Sequence, residues 1–195
     1  AHQALQAMRE AVRTGRTWVV DADIESFFDR LGFDLVIDCL RERISDRKVL
    51  KLVRMILGAG VLDGTSLSFP TEGSPQGGPL SPLLCNVYLH RLDRVWDTSE
   101  HGVLVRYCDD LVVMCRSREQ AQAALQRLTV LLGDLGLEPK ASKTRIVHLV
   151  EGGQGVDFLG FHNRLVRGRT PRSAHLVFLG RWPSRKAVQH ARDRI

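Results

Sequence analysis

Two mostly apolar runs, Val103–Tyr107 and Leu111–Cys115, are separated only by Cys108-Asp109-Asp110. So short a gap fits a strand–turn–strand, the two runs joined by a tight turn. Thr17 to Ile24 reads as a further buried strand, with Trp18, Val19 and Val20 apolar and Asp21 and Asp23 at its far end. If that strand lies in the same sheet, Asp23, Asp109 and Asp110 meet at one edge. Like charges brought together raise one another's pKa, and such a cluster persists cheaply only with a cation between its members. An all-oxygen donor set without His or Cys favours Mg²⁺ or Mn²⁺. Two such ions, roughly 4 Å apart, serve in-line phosphoryl transfer. Asp is also a favoured turn residue, so an isolated Asp-Asp pair is more simply turn chemistry. Asp21, Glu25 and Asp29 carry the same plain reading as solvated neighbours.

Around this hairpin the pattern alternates helix and strand. Residues 1–13 carry Ala1, Ala4, Leu5, Met8, Ala11 and Val12 on one helical stripe, stopped by Thr14-Gly15. Helices follow over about 33–44 and 46–58, with Ser45 as the cap between them. Val61 to Phe69 reads as a hairpin turning at Asp63-Gly64. A Gly/Pro/Ser-rich loop, Pro70 to Pro79, then feeds a helix to about Trp96. Ser117 caps a long helix through Leu135, closed by Gly136. Thr144–Val150, Val156–Phe161 and Leu176–Leu179 read as strands, and Pro183-Ser184 opens a last helix. There are no internal repeats and no linker between two cores.

Composition narrows the class. Of 195 residues 44% are hydrophobic and 26% charged, as in an ordinary globular domain. No window approaches the roughly 18 unbroken apolar residues of a membrane span, and no signal peptide opens the chain. Cys39, Cys85, Cys108 and Cys115 form neither a CxxC nor a zinc spacing, which places the chain in a reducing, intracellular compartment. The net charge is +6, unevenly spread. Nine basic residues against Asp193 leave residues 164–195 at +8 and the preceding 163 at −2. A basic segment on a slightly acidic body points to a polyanionic partner, most often nucleic acid, against the plainer reading of a solvated basic face.

Five ordered motifs carry a resemblance. V-D-A-D-I-E-S-F-F-D (20–29), E-G-S-P-Q-G-G-P-L-S-P-L-L-C-N-V-Y-L (72–89), V-R-Y-C-D-D-L-V-V (105–113), L-G-L-E-P-K-A-S-K-T-R (135–145) and V-D-F-L-G-F (156–161) resemble the palm of reverse transcriptases. The type is that of bacterial group II intron-encoded, maturase-like proteins, and the resemblance covers nearly the whole chain. It implies an α+β fold: a right-hand polymerase palm, an antiparallel sheet with helices packed on one face, fingers and thumb largely missing. Residues 1–182 would be the palm, with a remnant of the fingers at 1–16, and 183–195 the start of a thumb or maturase helical domain.

The resemblance also implies roles. Asp23, Asp109 and Asp110 would be the catalytic, metal-binding triad for two Mg²⁺ (or Mn²⁺), with the backbone carbonyl of Ile24 facing a metal. The usual Tyr-Ala-Asp-Asp is here Tyr107-Cys108-Asp109-Asp110, a mild change since Cys is small and apolar. Phe28 stands at the sugar-gate position, where a bulky ring excludes a 2′-OH; core packing is the alternative for Phe27 and Phe28. Gly73 to Gly78 would form the loop under the nucleotide, with Gln76 and Gly77 in contact with it. Lys143 would face the triphosphate. Phe158, Leu159 and Gly160, with Phe161, resemble the hairpin that grips the primer end, against the alternative of a core strand with a Gly bulge. The implied function is RNA-directed DNA polymerisation with an RNA template, a DNA or RNA primer, dNTPs and intron RNA as partners, in the bacterial cytoplasm and without a membrane. An RNA-binding maturase-type splicing factor and an inactive fragment of a mobile element are the rival readings. An RNA-templated RNA polymerase shares the Asp-Asp turn, but Phe28 and the 156–161 motif count against it.

Overall fold

The computed structural model describes residues 1–59, 61–63, 66–68, 80–168 and 170–194, with the backbone alone at 61–63 and 66–68. In chain order the elements are α1 (His2–Arg13), β1 (Trp18–Asp23), α2 (Phe33–Arg41), α3 (Arg47–Leu57), β2 (Val61–Asp63), β3 (Ser66–Ser68), α4 (Ser81–Val95), α5 (Thr98–His101), β4 (Val103–Tyr107), β5 (Asp110–Cys115), α6 (Arg118–Gly133), β6 (Arg145–His148), β7 (Val156–Phe158), β8 (Phe161–Arg167), β9 (Val177–Pro183) and α7 (Arg185–Arg192). The loop Gly73–Gly78, with Gln76 and Gly77, lies outside the described residues, as does Gly64 of the β2–β3 turn.

The chain forms two compact units. The first comprises Ala1–Asp23, Trp96–Val130 and Pro139–Ile195. It holds a four-stranded antiparallel sheet in the order β4-β5-β1-β6 and a three-stranded antiparallel sheet β7-β8-β9. On one face of the larger sheet the stripe of α1 (Ala4, Leu5, Met8, Ala11) packs with Val19, Val105, Val112, Met114 and Val147, joined by Val156 and Phe158 of β7. From Leu111 to Cys115 every residue of β5 is buried, so both faces of this strand are covered. That explains its unbroken apolar run, where a half-exposed strand would alternate.

The second unit comprises Ile24–Val95 and Leu131–Glu138. Its helices α2 and α4 pack together with α3 beside α2, and the β2–β3 hairpin pairs Val61 with Ser68. Tyr88 is buried and its hydroxyl donates to the Leu135 carbonyl at 2.6 Å, satisfying the one polar atom on an otherwise apolar side chain. Phe27 and Tyr88 meet edge to face at 6.1 Å.

Several boundaries differ from the sequence expectation, each for a local reason. The cap of α3 is Asp46, whose carboxylate accepts from the Lys48 N–H at 2.7 Å, in place of Ser45. α6 ends at Gly133, two residues before the expected Leu135, although Gly136 does take a positive φ of 70°. α5 is a single turn capped by Asp97, too short to leave a periodic signal. Residues 156–161 are not one strand: β7 stops at Phe158, and the chain reverses through Leu159 (φ 52°) and Gly160 (φ 78°) into β8. All four cysteines are free thiols. No helix among the described residues is long and apolar enough to cross a membrane.

Candidate active site

β1 and β5 run side by side in a register that sets Asp23 opposite Asp110. β4 and β5 are joined with Tyr107 opposite Asp110, leaving Cys108 and Asp109 as the two central turn residues. Cys108 has φ 54° whereas Asp109 does not have a positive φ, the φ pattern of a type II′ hairpin turn. The three aspartates therefore reach one end of one sheet, as expected from the strand lengths. Glycine is the usual first residue of such a turn; Cys there stores about 1–2 kcal/mol of backbone strain.

A second strained turn reaches the same sheet end. Leu159 and Gly160, both with positive φ, make the two-residue tip of the β7–β8 hairpin, with Phe158 opposite Phe161. The Leu159 N–H donates to Asp110 Oδ2 at 3.2 Å. Of the three non-glycine residues with positive φ among the described residues (Ser26, Cys108, Leu159), one precedes Asp109 and another is bonded to Asp110. Strain held this close to the carboxylates marks a place where geometry is selected over stability.

The third support is the turn after Pro139. The Lys140 N–H donates to the Asp23 carbonyl at 2.7 Å, and the N–H groups of Lys143 and Thr144 both return to the Lys140 carbonyl. That turn delivers Lys143 Nζ to Asp23 Oδ2 at 2.7 Å. The carboxylate beside it, with which it both hydrogen-bonds and pairs in charge, raises the Lys143 pKa. Two positions up β1, Asp21 Oδ2 accepts from Arg145 Nε at 3.0 Å. Burial nevertheless raises the Asp21 carboxyl, outweighing the arginine.

Charge accumulates at Asp110. Burial first, then the charges of Asp21, Asp109 and Asp23, push its carboxyl up to about 6 against the Leu159 N–H, which lowers it. The like-charge repulsion expected from the sequence is thus present, and here Lys143 and the Leu159 N–H relieve part of it. Because Asp23 turns to Lys143 and Asp110 to the hairpin tip, no three His, Cys, Asp or Glu side chains among the described residues converge as a cage around a single point. The donor set still fits a hard divalent cation: all oxygen, one sheet end, and a carboxyl that burial first and neighbouring carboxylates second hold above its ordinary range.

The remaining expected residues belong to the second unit. Ile24 follows Asp23 directly and is buried. Of the two phenylalanines expected at the gate, Phe27 is buried and Phe28 half-buried, their rings edge to face at 5.1 Å. Core packing thus accounts for Phe27 and leaves Phe28 the ring with an exposed edge. Two neighbours escaped sequence reading as parts of this site, Arg145 on Asp21 and His162 on Asp157 at 2.6 Å. Asp21 lies far along the chain from Arg145, and His162 itself sits in β8, a strand the sequence did not announce.

Comparison with known proteins agrees with this geometry. Protein YkfC of Escherichia coli is 26% identical over 228 residues, covering 97% of this chain and 58% of that protein. The group II intron-encoded protein LtrA of Lactococcus lactis is 38% identical over 93 residues, 48% of this chain and 15% of that one. The chain therefore spans little more than half of YkfC's length and a far smaller part of LtrA's. Apo telomerase from Candida tropicalis shares the fold at TM-score 0.63 and 14% identity, over 84% of this chain and 34% of that one. The reverse transcriptase (RNA-dependent DNA polymerase) family matches residues 2–163, and the chain belongs to that family.

Proposed function

We propose that this chain carries the polymerising centre of a group II intron-type RNA-directed DNA polymerase. The observation that carries the reading is the register that places Asp23 opposite Asp110, with Asp109 in the adjoining turn, in a chain of this family. A primer 3′-hydroxyl attacks the α-phosphate of a dNTP, a P–O bond forms, and pyrophosphate leaves. Asp23, Asp109 and Asp110 are the residues that would hold Mg²⁺ or Mn²⁺. When bound, such ions lower the pKa of the attacking hydroxyl and neutralise charge on the leaving group.

The chain's own side chains have separate tasks. Lys143, kept protonated by Asp23, can exchange that carboxylate for a triphosphate oxygen and donate a proton to the departing pyrophosphate. Phe28 excludes a 2′-hydroxyl from the sugar site. Phe158, expected at the primer grip, is instead buried in the core, where it anchors the hairpin; Leu159 and Gly160 at its tip hold the primer end. Since the hairpin tip is bonded to Asp110, gripping the primer also fixes the carboxylate that must face it. The template is RNA, as the relation to an intron-encoded protein supports.

The decisive assay is dNTP incorporation on poly(rA)/oligo(dT), comparing this chain with Asp109→Ala/Asp110→Ala. Loss of carboxylates that steady developing charge removes several kcal/mol, so incorporation is expected to fall by at least about 10²-fold. Equal incorporation by both proteins overturns the assignment. The +8 charge of residues 164–195 supports a second reading, RNA binding in a maturase-type role without polymerisation. It predicts RNA binding with steep salt dependence from a chain that incorporates no dNTP.

A further inference from the structure

The β7–β9 sheet, the start of β6 and α7 line a half-open cavity of ≈ 710 Å³ with a consistent chemistry. Arg145, Arg164, Arg185 and Arg192 supply four guanidinium groups to its wall, and Trp182 and His162 supply two rings. Among the described residues the only acid on the wall is Asp157, which is hydrogen-bonded to His162. Asp21 faces Arg145 from β1, and Asp193 accepts from Gln189 of α7 at 2.7 Å.

The fold builds this wall from several elements at once. His162 and Arg164 alternate onto one face of β8, and Trp182 is the register partner of His162 on β9. Two glycines let the rings lie close to backbone. A Cβ on Gly155 would sit 2.6 Å from His162 Nε2, and one on Gly180 would sit 3.2 Å from Trp182 Cζ3. On α7, Arg185 and Arg192 are seven residues apart and share a face. The Ser184 N–H donates to the Gly160 carbonyl at 2.9 Å, tying the start of α7 to the hairpin tip that holds Asp110.

Three of the four cavity arginines differ from Arg145, which pairs with Asp21, and from their neighbours outside the cavity. Arg167 pairs with Glu151, and Arg181 donates to Asn163 and to the Leu5 carbonyl. Arg185 and Arg192 have no ion-pair partner among the described residues, and Arg164 Nε is buried with no hydrogen-bond partner. A buried donor left unmade costs about 1–3 kcal/mol, a cost that an acceptor from a ligand would remove.

We propose that this cavity binds a backbone phosphodiester of a nucleic-acid strand, with Arg164 as its innermost donor, Arg185 and Arg192 as outer donors, and Trp182 stacking on the adjoining base. The inference rests on the polymerase reading and adds a second anchor for the strand beside the hairpin tip. Guanidinium forks match phosphate oxygens in pairs, and an indole face stacks on any base without reading its identity. A free phosphate would use the arginines and leave the aromatic wall idle.

The test is fluorescence anisotropy of a labelled RNA–DNA template-primer with the 195-residue chain in EDTA, followed in parallel by Trp182 quenching. Arg185→Gln/Arg192→Gln lies on an exposed helix face, so loss of fold is not expected to mask the result. It should weaken binding about 10-fold or more and reduce the slope of log K against log salt by about 2. Arg164→Gln should weaken binding further, with Arg164→Lys intermediate because it keeps the charge but not the fork. Trp182→Leu should abolish the oligonucleotide-induced quench while Trp18 and Trp96 remain. Wild-type affinity and slope in the double arginine variant overturn the proposal. So does failure of the wild-type chain to bind at low salt, or equal quenching by a dNTP, which would mark a site for terminal phosphates. The Asp109→Ala/Asp110→Ala protein separates the two readings. If it loses incorporation while the arginine variants bind normally, the cavity assignment alone fails. If binding depends on the arginines but incorporation never depends on the aspartates, the polymerase reading alone fails.

Discussion

Asp110 carries opposed demands in a single carboxyl group. Burial and three neighbouring carboxylates hold its pKa near 6 against an ordinary 3.8, so the folded protein binds its proton more tightly than the unfolded chain does. Between roughly pH 4 and 6 the folded state therefore holds the extra proton, and stability falls as pH rises through that window. Above it the folded chain carries the full cost of a half-buried charge. Asp110→Asn removes the charge and keeps an amide oxygen to accept the Leu159 N–H. In EDTA at pH 7.5 it should melt above the wild type by about 2–4 °C for each kcal/mol relieved. The gain should shrink toward zero near pH 4. A lower melting temperature at pH 7.5 would show that burial of this carboxyl is not the destabilising element it is argued to be. Asp23, Asp109 and Asp110 were legible in the sequence because Asp23 closes one apolar strand and Asp110 opens another, with Asp109 in the tight turn before it. The Lys143–Asp23 pair, 120 residues apart, was not, since only the folded turn after Pro139 brings those two groups together.

At the scale of elements, the turn into β4 is the most sharply determined joint. Gly102 ends α5 with φ 85°, and a Cβ there would stand 2.6 Å from the Met114 carbonyl oxygen and 3.0 Å from Cys115 Sγ. The obstacle is the backbone of β5, which cannot move without shifting the strand that starts at Asp110. Gly102→Ala should therefore cost about 3 kcal/mol or more, combining left-handed strain with the clash, whereas Gly136→Ala meets nothing within 4 Å and should cost only the strain. Urea melts of the two variants check the difference; equal losses would refute the clash. Elements announced by composition and period, α1, β1, β4, β5 and α6, were legible within a residue or two. β8 was not, because its sequence F-H-N-R-L-V-R places Asn163 at a fully buried position. Its amide is satisfied by the Phe161 and Val156 carbonyls, which no sequence pattern records. The preceding turn was hidden for a related reason, since Leu159 is not a residue that signals positive φ. There the motif resemblance pointed to a hairpin where local propensity pointed to a strand.

On the scale of the whole molecule, connectivity bears on how the two units unfold. The backbone crosses between them at Asp23–Ile24, Val95–Trp96, Val130–Leu131 and Glu138–Pro139. Neither unit is a contiguous segment, and α6 runs unbroken through the third crossing. Unfolding either unit frees the chain ends on which the other's helix or strand depends, so cooperativity should extend across both. The free thiols provide a probe for each. Cys39 and Cys85 are buried in the second unit and Cys115 in the first, where burial pushes its thiol up to about 11. Cys108, in the turn before Asp109, is the partly exposed one. In native buffer a thiol reagent should modify Cys108 rapidly and the other three only through opening. Across a urea series Cys39, Cys85 and Cys115 should become reactive with one shared midpoint, coincident with loss of far-UV circular dichroism. Labelling of Cys39 and Cys85 at lower urea than Cys115, read by mass spectrometry, would separate the units energetically. The sheet bearing the three aspartates would then persist without the unit that carries Phe28.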